Sequence, residues 1–268
     1  MRNYALDLSL ALRLADAADA ISTAKYQSGE IIIETKPDLT PVTDVDKGIE
    51  FMIRDVLSQE RPLDLVVGEE FGGKDEALAT GNEKHYWVID PIDGTKNFVR
   101  GVPTWGTLIA LVNPAHEVVV GVVSAPALYR RWHAHKGGGA FVSENGGTSR
   151  KISVSKVSAL ADASISYSDL VGWGDRRQPF IDLQEKIWRT RGLGDFWSHM
   201  LVAEGAVDIA VEPTLALWDM AANAIIVEEA GGVFGDLDGG RGAHGPNALS
   251  TNGLLHQSFL DAINSVKN

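Results

Sequence analysis

The sequence contains no cysteine among its 268 residues. Disulfide bonds, thiolate metal ligands and a cysteine nucleophile are therefore excluded for this chain. Such a composition is compatible with a reducing cytoplasm, where cross-linking through thiols is rare.

Positive charge is also scarce, because 24 Lys and Arg stand against 36 Asp and Glu and give a formal net charge of −12. A general nucleic-acid binder needs a basic face for the phosphate backbone, so this class of protein is not expected. The acidic excess serves solubility, or else it clusters carboxylates that hold cations. Composition alone does not separate these two interpretations.

Long apolar runs are missing too, since no stretch approaches the ~20 residues of a membrane span. Near the start of the sequence, Asp7 and Arg13 interrupt the apolar stretch that a signal peptide would need. The apolar residues there follow helical spacing instead and form one face: Leu6, Leu10, Leu14, Ala17, Ala18 and Ile21. We expect an opening helix, no membrane contact and a cytoplasmic location.

The rest of the composition, with 44% hydrophobic and 22% charged residues, is typical of a soluble globular enzyme. The length permits one large domain or two modest ones that share a cleft. Apolar runs separated by turn signals predict an α+β fold, and the pattern shifts near residue 150. We therefore predict two sub-domains, residues 1–150 and 151–268, that meet at a cleft.

Local patterns predict most of the regular elements. After the opening helix, further helices are expected over 44–59, 179–188, 197–203 and 218–230. Strands are expected over 31–33, 65–67, 86–89, 107–112, 118–123, 140–142, 163–166 and 207–211. The turn at 113–116 should close a hairpin, and the glycine-rich segment 238–245 should be a surface loop.

The most informative segment is an apolar strand that leads into two carboxylates three residues apart, Asp90 and Asp93. These could share two hard cations such as Mg²⁺, with the carbonyl of Ile92 completing one ligand shell. Gly94 lets a ligand approach the backbone closely, and the N–H groups of Gly94 and Thr95 would open a short helix that binds phosphate. Alternatively, the Asp-Pro and Asp-Gly pairs form only a turn.

Three further acidic groups lie at the ends of predicted elements. Glu69 and Glu70 end a short apolar strand, where a solvated loop is the alternative to a metal site. Asp46 follows Thr43 at a helix start, and Asp219 precedes a helix rich in small residues. For both of these, a helix N-cap is the alternative.

Four motifs are spread over the chain: Pro-Val-Thr-Asp-Val-Asp at 41–46, Gly-Glu-Glu at 68–70, Asp-Pro-Ile-Asp-Gly-Thr at 90–95 and Trp-Asp-Met-Ala-Ala at 218–222. In combination they resemble the inositol monophosphatase superfamily of Mg²⁺-dependent, lithium-sensitive phosphatases. The resemblance implies a layered αβαβα sandwich whose two sub-domains surround a metal cleft. It also implies a homodimer.

The resemblance further implies two to three Mg²⁺ ions in each active site. Glu69, Asp90 and the Ile92 carbonyl would hold the first ion. Asp90, Asp93 and Asp219 would hold the second, and Glu69 with waters would reach a third, weaker one.

The same resemblance implies how the reaction proceeds. Asp46 and Thr95 would orient and activate the attacking water, with Glu69 as a third catalytic residue. The amides of Gly94 and Thr95 would hold the phosphate. Phosphoryl transfer needs in-line geometry and neutralised oxygens, so hydrolysis by a metal-activated water without a phospho-enzyme is implied.

Within the superfamily, the chain resembles the histidinol-phosphate phosphatases of the actinobacterial and plant type. This similarity is carried by Asp-Gly-Thr-Lys-Asn-Phe-Val-Arg-Gly-Val-Pro at 93–103, Gly-Asp-Phe at 194–196, and the segments 124–128, 202–208 and 212–213. It implies hydrolysis of L-histidinol phosphate, which carries an ammonium and an imidazole. Asp195 and Glu212 would bind these groups; alternatively, Asp195 only caps the next helix.

Other functions stay open at this point. One is hydrolysis of inositol monophosphate or of a broad range of small phosphate monoesters. Another is a non-catalytic metal- or phosphate-binding protein, although the motifs retain every ligand and the Asp46 and Thr95 pair. His199 and Trp105 could border the cleft, or belong to a helix and the core.

Overall fold

The computed structural model describes residues 2–37, 39–79 and 81–265. Its described α-helices are α1 (Tyr4–Lys25), α2 (Asp44–Glu60), α3 (Lys74–Ala77), α4 (Thr95–Val99), α5 (Arg177–Gln184), α6 (Asp195–Ala203), α7 (Leu217–Glu229) and α8 (His256–Asn264). No helix within these ranges is both long and apolar enough to cross a membrane.

The strands within the described ranges form three sheets. They are β1 (Ile33–Thr35), β2 (Pro41–Thr43), β3 (Leu65–Gly68), β4 (Tyr86–Asp93), β5 (Gly106–Val112), β6 (Val118–Ala125), β7 (Arg130–His135), β8 (Gly139–Glu144), β9 (Arg150–Lys151), β10 (Ser164–Tyr167), β11 (Arg189–Gly192), β12 (Ile209–Glu212), β13 (Val233–Gly235) and β14 (Ala248–Thr251). The antiparallel pair of β1 and β2 leads directly into α2.

The largest sheet follows the chain, in the order β3-β4-β5-β6-β7-β8-β9. β3 and β4 are parallel, and the other neighbouring strands are antiparallel. α1 and α2 cover one face, where Leu14 and Ile53 join Ile109 in one buried apolar cluster. Of the apolar face predicted for the opening helix, Leu10, Leu14 and Ala18 are buried in this cluster, whereas Leu6 is 62% exposed.

The second large sheet has the order β11-β10-β12-β14-β13. β10 is parallel to both of its neighbours, whereas β14 is antiparallel to β12 and β13. On its outer face, Phe180 of α5 and Phe259 of α8 share a buried cluster with Val211 of β12.

The two large sheets are separated by α6 and α7. α7 contacts strands β4 to β8 of the first sheet and β13 and β14 of the second. It lies so close to β6 that a Cβ on Gly121 would be 2.4 Å from Cγ2 of Ile225. The resulting order of layers, helices, sheet, helices, sheet and helices, confirms the predicted α+β sandwich.

Several predicted boundaries differ from the structure. The strand predicted over 31–33 shares only Ile33 with β1. The helix predicted over 179–188 ends at Gln184, so Trp188 lies outside it and is 69% exposed. The strand predicted over 86–89 continues to Asp93 through an irregularity described below.

Several elements were not predicted from the sequence. β11, β13 and β14 are only three or four residues long and contain Gly, Arg or Ser, so their apolar pattern is weak. α8 is different, because Phe259, Leu260 and Ile263 have helical spacing and are buried. That spacing was a sufficient signal for a helix.

Candidate metal and phosphate site

A β-bulge in β4 explains how carboxylates three residues apart come together. Asp90 pairs with Leu108 of β5, and Asp93 pairs with Gly106. Three residue steps on β4 thus match two on β5, so both Asp side chains leave the strand on one face. Regular alternation along a strand would have placed them on opposite faces.

Asp90, Asp93 and Asp219 form the core of the site, with one carboxylate oxygen from each lying within 4.8 Å of the others. Burial, and after it the charges of neighbouring carboxylates, raises the pKa of Asp90 and Asp93 well above the usual range. Oδ1 of Asp90 is buried and has no hydrogen-bond partner among the described residues. Converging oxygens with an unused acceptor fit a hard divalent cation.

Asp219 reaches this cluster from the first turn of α7. Its Oδ2 accepts the backbone N–H of Ala216 at 2.7 Å, so the side chain also caps the helix. The capping alternative and a metal role are compatible, because a carboxylate has two oxygens. Burial raises the pKa of Asp219 to about 7.

The loop after β3 is held from the interior by Glu50 of α2, which is 0% exposed. Its carboxylate accepts the backbone N–H of Glu70 at 2.8 Å and of Phe71 at 3.2 Å. Nε of Arg54 donates to it at 2.8 Å. A Cβ on Gly68 would lie 1.9 Å from Oε1 of Glu50, so this approach requires glycine.

Lys36 lies beside the two predicted loop carboxylates. Its Nζ donates to Oε1 of Glu69 and to Oε1 of Glu70, at 2.6 Å in each case. Glu69 is not part of the described three-carboxylate cluster. Its charge nevertheless contributes, after burial, to the raised pKa of Asp90.

Asp46 lies buried at the start of α2. Its Oδ2 accepts the backbone N–H of Thr43 at 2.9 Å and the Thr43 hydroxyl as well, and Thr43 caps the helix in return. Oδ1 lies 3.5 Å from Oγ1 of Thr95, whose hydroxyl also donates to the Ile92 carbonyl at 3.0 Å. Burial raises the pKa of Asp46 to about 6.

Gly94 precedes the short helix α4 and has a φ of +83°, in the region that favours glycine. A Cβ at this position would also lie 2.9 Å from the carbonyl oxygen of Thr104. Because α4 begins at Thr95, its first N–H groups have no acceptor within the helix. The predicted phosphate-binding amides therefore lie directly after the bulge that carries Asp93.

Asp195 opens α6 with a φ of +51°, which is uncommon for a residue other than glycine. Gly194 is the N-cap. The Asp195 side chain does not cap the helix; its Oδ2 accepts a hydrogen bond from Nδ2 of Asn97 at 3.1 Å. Its Oδ2 would lie 3.2 Å from a Cβ on Gly94. Burial, and then the charge of Glu212, raises the pKa of Asp195 to about 7.

Glu212 ends β12 and is 3% exposed. Its Oε1 lies 3.3 Å from Nε2 of His199, whose Nδ1 lies 2.6 Å from Oγ of Ser250. His199 is thus a buried helix residue in contact with a candidate substrate-binding residue. Trp105 is 0% exposed and packs edge-on against Phe98 in the core, at 4.9 Å between ring centroids.

Among the predicted site residues, the structure brings Asp90 together with Asp93 and Asp219, and Asp46 together with Thr95. Burial, and after it the charges of Asp195 and Glu212, raises the pKa of Asp93, and burial with the charge of Glu212 also raises the pKa of Asp195. Lys36, Glu50 and Asn97 were not predicted to have roles. For Glu50 a signal existed, because an acidic residue on the apolar face of an amphipathic helix is unusual.

Comparison with known proteins places this site in a wider context. Residues 6–266 match the model of the inositol monophosphatase family. A histidinol-phosphatase of Streptomyces coelicolor is 52% identical over 98% of this chain and 99% of its own length. A histidinol-phosphatase of Mycobacterium tuberculosis is 52% identical over 97% and 98% of the two chains. The solved structure of a Thermotoga maritima IMPase superposes with a TM-score of 0.83 at 30% identity, over 97% of each chain.

Proposed function

The chain belongs to the inositol monophosphatase family, and we propose that it hydrolyses L-histidinol phosphate to L-histidinol and inorganic phosphate. The observation that carries this proposal is the 52% identity, over nearly the whole chain, to two histidinol-phosphatases. Membership of the family makes the chain a metal-dependent phosphoric monoester hydrolase. Its substrate is a small phosphate monoester.

Two buried carboxylates support the choice of substrate. Burial and the charge of Glu212 raise the pKa of Asp195, whereas Lys96 acts in the opposite direction. A cationic ligand would relieve the repulsion between Asp195 and Glu212. L-histidinol phosphate supplies such a cation through its ammonium, and inositol phosphate does not.

Asp90, Asp93 and Asp219 would hold one divalent cation, and Glu69 with the Ile92 carbonyl would help to hold further ions. We propose Mg²⁺ and two to three ions in each site, because every donor is an oxygen. When bound, the cations would supply Lewis-acid chemistry, which lowers the pKa of water and neutralises phosphate oxygens. Metal analysis of the loaded protein, after dialysis, would count the ions.

Asp46 and Thr95 would manage the proton of the attacking water. Thr43 occupies Oδ2 of Asp46, which leaves Oδ1 to receive a proton through the Thr95 hydroxyl. This hydroxyl now donates to the Ile92 carbonyl, so its O–H must rotate towards Asp46. A pKa of about 6 suits Asp46 as a proton acceptor near neutral pH.

The first test compares phosphate release from L-histidinol phosphate and from inositol 1-phosphate in Mg²⁺. We expect kcat/KM to be at least about ten-fold higher for L-histidinol phosphate, because a buried carboxylate pair without its cation is penalised. Asp195→Asn, which keeps the size and removes the charge, should reduce this preference. A preference for inositol 1-phosphate would show that the proposed substrate is wrong. No phosphate release from either ester would contradict the proposed phosphatase activity.

We also propose a homodimer in the cytoplasm. The support for the dimer is membership of the family, and the support for the location is the cysteine-free composition. Light scattering on the purified protein would test the dimer, for which a mass near 28.8 kDa would be the contradicting result.

A further inference from the structure

Behind the candidate substrate carboxylates lies a chain of contacts that the proposed reaction does not use. Oγ of Ser250 lies 2.6 Å from Nδ1 of His199, and Nε2 of His199 lies 3.3 Å from Oε1 of Glu212. The exposed fractions are 0% for Ser250, 1% for His199 and 3% for Glu212. The imidazole also contacts the ring of Phe234, with centroids 5.5 Å apart.

We propose that His199 is a positioning residue that fixes the carboxylate of Glu212 and thereby sets the preference of the site for an amine-bearing substrate. This inference rests on the proposed function and goes beyond it, because it assigns part of the substrate selectivity to a residue that substrate does not touch.

Two buried atoms meet where His199 contacts Glu212. Nε2 of His199 and Oε1 of Glu212 are both sealed from solvent, and neither has an aligned hydrogen bond within the described residues. Each such atom is costly to leave alone in the interior, so their 3.3 Å contact is the interaction available to both. Oε1 is therefore engaged with the protein, which leaves Oε2 of Glu212 for a ligand.

The direction of the donors follows from the other end of the ring. If the Ser250 hydroxyl donates to Nδ1, the ring proton is on Nε2 and is available to Glu212. Ser250 is itself immobile, because β14 pairs with β12 on one side and with β13 on the other. The imidazole is thus anchored at one nitrogen and presents the second nitrogen to the carboxylate.

The same helix also presents the other candidate carboxylate. Asp195 and His199 lie four residues apart, about one turn, on α6. α6 therefore carries Asp195 directly and controls Glu212 through His199. One rigid element sets both carboxylates that would face the substrate ammonium.

A purely structural role for His199 makes a different prediction. If the imidazole only filled the core, its replacement would weaken turnover of every phosphate ester alike. If it positions Glu212, the loss falls on substrates with an amine. The readout is therefore a ratio between two substrates.

The test uses His199→Phe, which keeps a ring against Phe234 and removes both nitrogens. We would measure kcat and KM for L-histidinol phosphate and for glycerol 2-phosphate, which has no amine. We expect the ratio of the two kcat/KM values to fall about ten-fold, mainly through KM for L-histidinol phosphate, because a partner of a buried carboxylate is lost.

Ser198→Ala is the matched control, because Ser198 is the neighbour of His199 on α6 and its hydroxyl contacts Ser166 of β10 at 2.6 Å rather than Glu212. It should leave the ratio at the wild-type value. Ser250→Ala, which removes a single oxygen, should lower the ratio in the same direction and serves where His199→Phe fails to fold.

The outcomes separate the two proposals. A wild-type protein that does not prefer L-histidinol phosphate overturns both, because there is no selectivity for His199 to support. A wild-type preference that persists in His199→Phe or, where that variant does not fold, in Ser250→Ala overturns the positioning role alone. An equal loss on both substrates also overturns it.

Discussion

The burial of acidic groups, reinforced by their mutual repulsion, dominates the site at the scale of single residues. Burial and neighbouring carboxylates raise the pKa of Asp90 and Asp93, and the ammonium of Lys36 donates to Glu69 and Glu70 instead. Such an arrangement opposes folding unless a cation is bound. Groups of this kind are characteristic of functional sites, where stability is lost in favour of activity.

Asp93→Asn should separate the effect of this carboxylate on activity from its effect on stability. We expect phosphate release in saturating Mg²⁺ to fall at least about 100-fold, because a ligand and its charge are lost. The melting temperature of the metal-free protein should rise, because one repelling charge is gone. The amide oxygen can still accept the Phe196 N–H, which now lies 2.7 Å from Oδ2 of Asp93. Phosphate assays and thermal unfolding in a chelator measure both quantities.

Asp208→Asn is the control for the measurement of thermal unfolding. Asp208 is a buried acid outside the cluster and accepts the N–H of Ser164 and the hydroxyl of Ser155. Its neutralisation should lower the melting temperature, because charged acceptors bind more strongly than neutral ones. Unchanged turnover in Asp93→Asn would refute the metal assignment.

Residues of the site differed in how far sequence could identify them. Asp90, Asp93 and Glu69 come directly after short apolar runs of sequence, where carboxylates stand out. Glu50 lies inside a helix, and its partners Glu70 and Phe71 come twenty or more positions later. No local pattern encodes such a contact, because it forms only when α2 packs beside the loop.

At the scale of elements, the bulge in β4 and the turn after β3 decide where carboxylates point. A regular strand would separate Asp90 from Asp93, and periodicity does not reveal the extra residue. Pro91 was the visible signal, since proline inside a sheet is confined to edges and bulges. The strand was predicted to end at Ile89, whereas β4 continues through Pro91 to Asp93.

Gly68→Ala tests the turn after β3. A Cβ would lie 1.9 Å from Oε1 of Glu50, so this carboxylate must shift and release the loop that carries Glu69. We expect a loss of about 1–3 kcal/mol in the free energy of unfolding. We also expect about a ten-fold rise in the Mg²⁺ concentration needed for half-maximal activity.

Gly48→Ala provides the comparison within α2. No atom of the described residues lies within 4 Å of a Cβ at Gly48, and the residue is exposed in the helix interior. This variant should gain about 0.5–1 kcal/mol of stability, because alanine favours the helix, and its Mg²⁺ dependence should not change. A Gly68→Ala protein with wild-type Mg²⁺ dependence would contradict the role assigned to Glu50.

At the scale of the whole molecule, the layers of the fold could be predicted from the sequence, but the pairing of strands within each sheet could be predicted only in part. The hairpin predicted at 113–116 is confirmed by the antiparallel pairing of β5 and β6. The order of the second sheet depends on contacts between segments far apart in the chain, such as β12 with β14. The predicted sub-domain boundary near residue 150 stays a prediction, although β9 ends at Lys151.

The position of α7 implies that the two predicted sub-domains unfold together. Val88 and Leu108 of the first sheet share one buried cluster with Met220 and Ile225 of α7 and with Phe234 of the second sheet. Removing either half would expose that cluster to water. We expect calorimetry of the full chain to show a single transition whose calorimetric and van't Hoff enthalpies agree.

The candidate Mg²⁺ ligands also come from both predicted sub-domains: Asp90 and Asp93 from β4, and Asp219 from α7. A cation that binds only the folded state should therefore raise the temperature of the whole transition. Two transitions, of which Mg²⁺ shifts one, would show that the halves are independent and that one half alone holds the ion. A single transition that moves with Mg²⁺ would show that site and core form one cooperative unit.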